Sequence, residues 1–165
     1  MEEIAGAASS PGKVYLTGGA TALLLGFREQ TIDIDVKFDP EPSGVFPAIA
    51  ALKERLDVNV ELASPDDFIP PAPGWRERSP HIISIGQVEF FHYDLSMQAL
   101  AKLERGHAQD LEDVAKLVNG GHVALDDLGK RFAQIYPHLL RYPAIAPQQF
   151  KRKVDDFLKA QDRGN

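Results

Sequence analysis

From Val14 to Phe38 the chain reads VYLTGGATALLLGFREQTIDIDVKF, and no other stretch restricts the fold as tightly. Val14, Tyr15 and Leu16 have strand character. Gly18-Gly19 then lets the backbone turn without the steric cost of a Cβ, and Ala20 to Leu25 are strong helix formers. The helix ends near Gly26, and Thr31 opens a second β-rich run, TIDIDVKF. Period-two alternation along that run sends Asp33 and Asp35 to one face and turns Ile32, Ile34 and Val36 toward a core. Strand, glycine pair, short helix and strand in this order require a sheet with a helix packed on it. Gly18 and Gly19 fall at a helix N-terminus, where unpaired N–H groups favour an anion such as phosphate. Two carboxylates side by side repel each other unless water or a cation separates them, so a divalent metal is the natural occupant of the Asp33–Asp35 pair. Taken singly, each piece also has a plain reading, a tight turn and a solvated strand face. An EF-hand loop is excluded, because the oxygen-bearing series stops at Asp35 and continues Val-Lys-Phe.

The remaining segments supply a frame around this stretch. Residues 1–12 end in Ser-Ser-Pro-Gly and read as a loose or short helical lead-in, and Asp39 to Gly44 is a turn. Val45 to Leu56 carries Phe46, Ile49, Leu52 and Leu56 at helical spacing. DVNVELA (Asp57 to Ala63) alternates, with Val58, Val60 and Leu62 on the buried side and Asn59 and Glu61 on the other. Ser64 to Pro80 is too rich in proline for a helix or a central strand. In this long loop Trp75 either stacks on a nucleic-acid base between Arg76 and Arg78 or pins the loop to the core, the second being favoured. HIISIGQVEFFHYD (His81 to Asp94) reads as two β-rich runs joined at Gly86-Gln87. From Ser96 onward the pattern is helical. Met97, Leu100 and Leu103 form one stripe up to Gly106, and Leu111, Val114, Leu117 and Val118 another up to Asn119-Gly120-Gly121. Further helices are expected from Asp126 to Ile135 and from Gln148 to Ala160, with a break over Tyr136 to Pro147.

The expected fold class is therefore α+β, a small mixed sheet flanked by helices with a helical C-terminal third. The 165 residues suit a single domain, with an α/β core over 13–94 and a helical part over 95–165. A net charge of -6 argues against binding nucleic acid by surface charge alone, so such a substrate would need a local basic patch. With no cysteine in the chain, disulfides, thiol nucleophiles and cysteine zinc sites are excluded. No apolar run approaches the roughly 20 residues that span a bilayer, and the N-terminus lacks the features of a signal peptide, so a cytoplasmic protein without membrane association is expected. The histidines, His81, His92, His107, His122 and His138, form no metal-binding pair and read as lone structural or surface residues. Nucleophile-elbow, Walker and dinucleotide-loop motifs do not occur.

The order strand, Gly18-Gly19, helix, Asp33-x-Asp35 resembles the polymerase-β-like nucleotidyltransferase superfamily. Downstream, LAKLERGHAQDLEDVAKLV (Leu100 to Val118) is similar to the Lys-x-x-Arg and Asp-x-x-Asp block of a subgroup related to AbiE-type (type IV) toxins of toxin–antitoxin systems. The resemblance implies a transferase that moves a nucleoside monophosphate from a nucleoside triphosphate to an acceptor, with two magnesium ions on Asp33 and Asp35. It implies a third carboxylate that shares the metal and activates the acceptor hydroxyl, with Glu61 preferred and Asp94 the alternative, since Asp94 also stands where it can N-cap a helix. Gly18 and Gly19 would cradle phosphates, with Thr17 or Thr21 as hydroxyl donors. Lys102 would reach the triphosphate while Asp110 and Asp113 hold it and Arg105 in place. The acceptor stays open among RNA such as a tRNA end, a protein hydroxyl and a small molecule, and an antitoxin is the partner implied by the toxin subgroup. The rival reading is a non-catalytic nucleotide-binding or interaction module with the same fold.

Overall fold

A computed structural model of the chain describes residues 1–162, apart from the side chain of Leu56. The β-prone segments form strands β1 (Gly12–Thr17), β2 (Asp33–Phe38), β3 (Asn59–Leu62), β4 (His81–Ile85) and β5 (Val88–His92). They make a five-stranded mixed sheet in the order β3-β2-β1-β5-β4. β1 is antiparallel to β2 and parallel to β5, β2 is parallel to β3, and β4 is antiparallel to β5. The expected α+β class is thus the observed one.

This sheet belongs to the first of two compact units, residues 1–64 with 78–93. Helices α1 (Glu2–Ala7), α2 (Gly18–Leu24) and α3 (Val45–Leu56) complete the unit. Val14 and Leu16 of β1, Val36 of β2, Val60 of β3, and Val88 and Phe90 of β5 share one core with Ile4, Ala20, Val45, Ile49 and Leu52. The opposite parity of the same strands carries Thr17, Asp33, Asp35, Asn59 and Glu61. Two expected core positions differ. Ile32 precedes β2 and is 68% exposed, and Leu62 ends the edge strand β3 at 56% exposure. Alternation assigns a face, but a residue at the last rung of an edge strand has little above it to bury against. Phe46 is likewise exposed, and its ring meets Phe38 edge-on at 5.9 Å while Val45 takes the buried position.

The second unit joins residues 65–77 to the chain from Asp94 onward. It contains α4 (Leu95–Arg105), α5 (Ala108–Asn119), α6 (Leu125–Ile135), a 3-10 turn over Tyr136–Arg141 and α7 (Pro147–Asp162). The proline-rich segment packs with these helices. Ile69, Ala72 and Trp75 are buried, and the Tyr142 hydroxyl donates to the Asp66 carbonyl at 3.0 Å. Met97, Leu100 and Leu103 of α4 are fully buried, as the spacing predicts. In α5 the pattern departs from apolar periodicity, with Leu111 exposed while Asp110 and Asp113 are buried. No helix among the described residues is long and apolar enough to cross a membrane.

Candidate functional site

The end of β1 and the middle of β2 are register partners at Thr17 and Asp35, which brings the glycine turn beside the aspartate pair. Gly18 has φ +59°, a conformation that side chains with a Cβ rarely adopt. A Cβ on Gly18 would lie 2.6 Å from Asp35 Oδ2, so the glycine is what allows that carboxylate to rest against the turn. At Gly19 a Cβ would collide with Thr31 Oγ1 and stand 3.1 Å from the Asp33 carbonyl. Thr31 Oγ1 itself donates to that carbonyl at 2.9 Å, bracing the start of β2. Both glycines thus lie in close packing around Asp33 and Asp35. Asp33 is exposed and Asp35 half-buried, leaving the pair accessible.

Across the parallel β2–β3 pairing Asp33 faces Asn59 and Asp35 faces Glu61, so Glu61 lies on the same face as both aspartates, as its alternation predicts. Asn59 is the residue that sequence reasoning passed over. Its Nδ2 donates to Glu61 Oε1 at 2.8 Å and to Asp33 Oδ1 at 3.4 Å, linking the two carboxylates by an amide. Its place two residues before Glu61 on an alternating strand was the available signal.

Asp94 takes the capping role, its Oδ1 accepting from the N–H groups of Ser96 at 3.0 Å and Met97 at 3.3 Å at the head of α4. Thr17 is buried at the turn into α2 and makes no side-chain cap bond to that helix. Thr21 is also buried, but its hydroxyl donates to the Leu16 carbonyl at 3.0 Å, which removes it as a phosphate donor. His92, read from sequence as a lone histidine, is buried with Nδ1 3.1 Å from Thr21 Oγ1.

In the second unit Lys102 is buried and donates to Asp110 Oδ1 at 3.2 Å and to Asp113 Oδ2 at 2.8 Å. Arg105 makes a two-pronged pair with Asp110 at 2.6 and 2.5 Å. The expectation that the two aspartates hold Lys102 is met for both, and for Arg105 through Asp110. Burial alone would raise the Asp110 pKa. The hydrogen bond from Arg105 and the charges of Lys102 and Arg105 outweigh it and hold the carboxyl below its usual value. Trp75 is buried, and the Arg76 guanidinium lies 4.5 Å from its ring centroid, which favours the pinning role over base stacking.

No group of three or more Asp, Glu, His or Cys side chains among the described residues is arranged to hold a metal ion. Glu61 Oε1 accepts from the same Asn59 amide that donates to Asp33 Oδ1. The donor chemistry of Asp33 and Asp35, all oxygen and solvent-accessible, still fits magnesium. That ion is ordinarily held by one or two carboxylates, with water and substrate phosphates completing its octahedron.

No curated protein and no solved structure matches the chain. A family model described as a nucleotidyltransferase of unknown function (DUF6036) matches residues 1–154, which include the glycine turn, both aspartates, Glu61 and the Lys102 cluster. Taken with that match, the mixed sheet carrying a glycine turn against paired aspartates makes this chain a member of that nucleotidyltransferase family.

Proposed function

We propose that this protein is a metal-dependent nucleotidyltransferase that moves a nucleoside monophosphate from a nucleoside triphosphate to an acceptor hydroxyl. The observation that carries the reading is the placement of Asp33 and Asp35 on one open strand face with Asp35 against Gly18. Asp33 and Asp35 would hold the magnesium. When bound, two such ions supply charge neutralisation and orientation of the triphosphate. The backbone of Gly18 and Gly19 would lie along the β and γ phosphates, with Thr17 as a further phosphate contact. Glu61, on the same face, would accept the proton of the attacking hydroxyl, provided that hydroxyl comes within hydrogen-bond reach. The new bond joins the acceptor oxygen to the α-phosphorus, the bond from the α-phosphorus to the bridging oxygen breaks, and pyrophosphate leaves.

The finer placement with AbiE-type toxins rests on the Lys102-x-x-Arg105 and Asp110-x-x-Asp113 spacing and carries with it an antitoxin partner and a cytoplasmic setting. Acceptors consistent with the chemistry are an RNA such as a tRNA end, a protein hydroxyl or a small molecule. A second reading, a nucleotide-binding module without turnover, is favoured by the Asn59 amide, whose bond occupies Glu61 Oε1.

One experiment separates the two. The purified protein is incubated with each α-labelled ribonucleoside triphosphate, magnesium and cell extract, and RNA, protein and small molecules are then resolved. Transferase activity puts label in one fraction and loses it on chelation. Label in no fraction with any triphosphate favours the non-catalytic module.

A further inference from the structure

His92 stands at the end of β5, where it is the register partner of Leu16 on β1. Both residues meet Thr21, which lies within α2 and is 3% exposed. The Leu16 carbonyl accepts from Thr21 Oγ1 at 3.0 Å and from the Tyr93 N–H at 2.8 Å. A hydroxyl has one proton, and the carbonyl has none to give. With the Thr21 proton on Leu16, the Thr21 oxygen can accept a proton from His92 Nδ1, 3.1 Å away. This order of bonds, from His92 through Thr21 to Leu16, is the one the Nδ1–H tautomer of the neutral ring makes. A buried imidazole costs free energy that an aliphatic side chain would not, unless its N–H finds such a partner.

We propose that His92 is a positioning residue: through Thr21 it ties α2 to the end of β1, and so holds Gly18 against the Asp35 carboxylate. The role rests on the reading of Asp35 as a ligand of the metal and triphosphate. It differs from ordinary packing in what it requires, a hydrogen donor at the place of Nδ1 and a hydroxyl at residue 21. Asparagine can put an amide N–H where Nδ1 stands, whereas leucine fills the space without one. Serine keeps the hydroxyl, and valine keeps only the shape.

The test combines calorimetric binding of each of the four common ribonucleoside triphosphates with magnesium, thermal melting, and nitrogen NMR of the His92 ring. The wild-type neutral ring is expected to carry its proton on Nδ1. His92→Leu and Thr21→Val should each weaken triphosphate binding about tenfold, the size set by one unsatisfied buried group. The double variant should be no weaker than either single one, because both remove the same link. His92→Asn and Thr21→Ser should stay within about twofold of wild type. If His92→Leu does not fold, the comparison of Thr21→Val with Thr21→Ser decides. Wild-type affinity in folded His92→Leu or Thr21→Val, additive losses in the double variant, or an Nε2–H tautomer in a wild type that binds triphosphate would each overturn the role of His92 alone. A wild type that binds no triphosphate in magnesium overturns the reading of the site, and the role of His92 with it.

Discussion

Gly18 and Asp35 constrain each other. The +59° φ of Gly18 strains any other residue, and a Cβ there would stand 2.6 Å from Asp35 Oδ2, so that carboxylate would have to shift. Gly18→Ala is expected to destabilise the fold by about 1–2 kcal/mol through left-handed backbone strain. It should also weaken magnesium-dependent triphosphate binding by displacing Asp35, and urea unfolding beside calorimetry reads both effects. Unchanged binding would detach the glycine from the site. Glu61→Gln is expected to keep triphosphate binding, which falls to Asp33 and Asp35, yet lose transfer. Retained label transfer in that variant would remove Glu61 as the base. The aspartate pair, the glycines and the face of Glu61 were legible in the sequence because each follows from a turn or from period two. For Asn59 alternation offered only the face it shares with Glu61, and the pairing of β2 with β3 in register is what brings its amide to both Asp33 and Glu61. Thr21 and His92 are separated by 71 residues, and only the parallel pairing of β1 and β5 brings them together.

Helix α5 shows where apolar spacing stops being a guide to an element. Leu111 fits the stripe and is exposed, while Asp110 and Asp113 are buried beside Lys102 of α4. Burying carboxylates depends on a cation from another helix, and no window of α5 alone carries that information. Removing one member of a buried charge cluster typically costs 3–5 kcal/mol, so Lys102→Met should lower stability by about 3 kcal/mol. The same variant tests the phosphate role. A loss of triphosphate affinity with the fold kept would support contact with nucleotide, and stability loss alone would confine Lys102 to the helix pair.

The Asp110 pKa is held below its ordinary 3.8, so the folded state binds that proton less readily than the unfolded chain. Its contribution to stability is complete above that ordinary value and is lost as pH falls from about 4 through the lower folded value. Melting curves between neutrality and about pH 3 should therefore show a smaller acid-induced drop for Asp110→Asn than for wild type. Equal drops in the two proteins would contradict the ion-pair assignment.

For the molecule as a whole, the succession of alternating and helical segments made an α+β fold with a helical last third legible. Strand order did not follow in the same way, because pairing β1 with both β2 and β5 depends on contacts far apart in sequence. The proline-rich segment was legible as a loop, but not as a part of the helical unit. Its membership comes from buried Ile69, Ala72 and Trp75 and from the bond between Tyr142 and Asp66. A net charge of -6 bears on the proposed function, since a polyanionic triphosphate gains little from the overall field and the proposed magnesium would supply the attraction. Calorimetric titration of triphosphate with and without magnesium, for wild type and for the Asp33→Asn, Asp35→Asn double variant, tests that dependence most directly. Wild type should bind only with the divalent ion, and the folded double variant should not bind in either condition. Binding by wild type that survives chelation, or wild-type affinity in the double variant with magnesium, would contradict a metal-dependent site on these two aspartates.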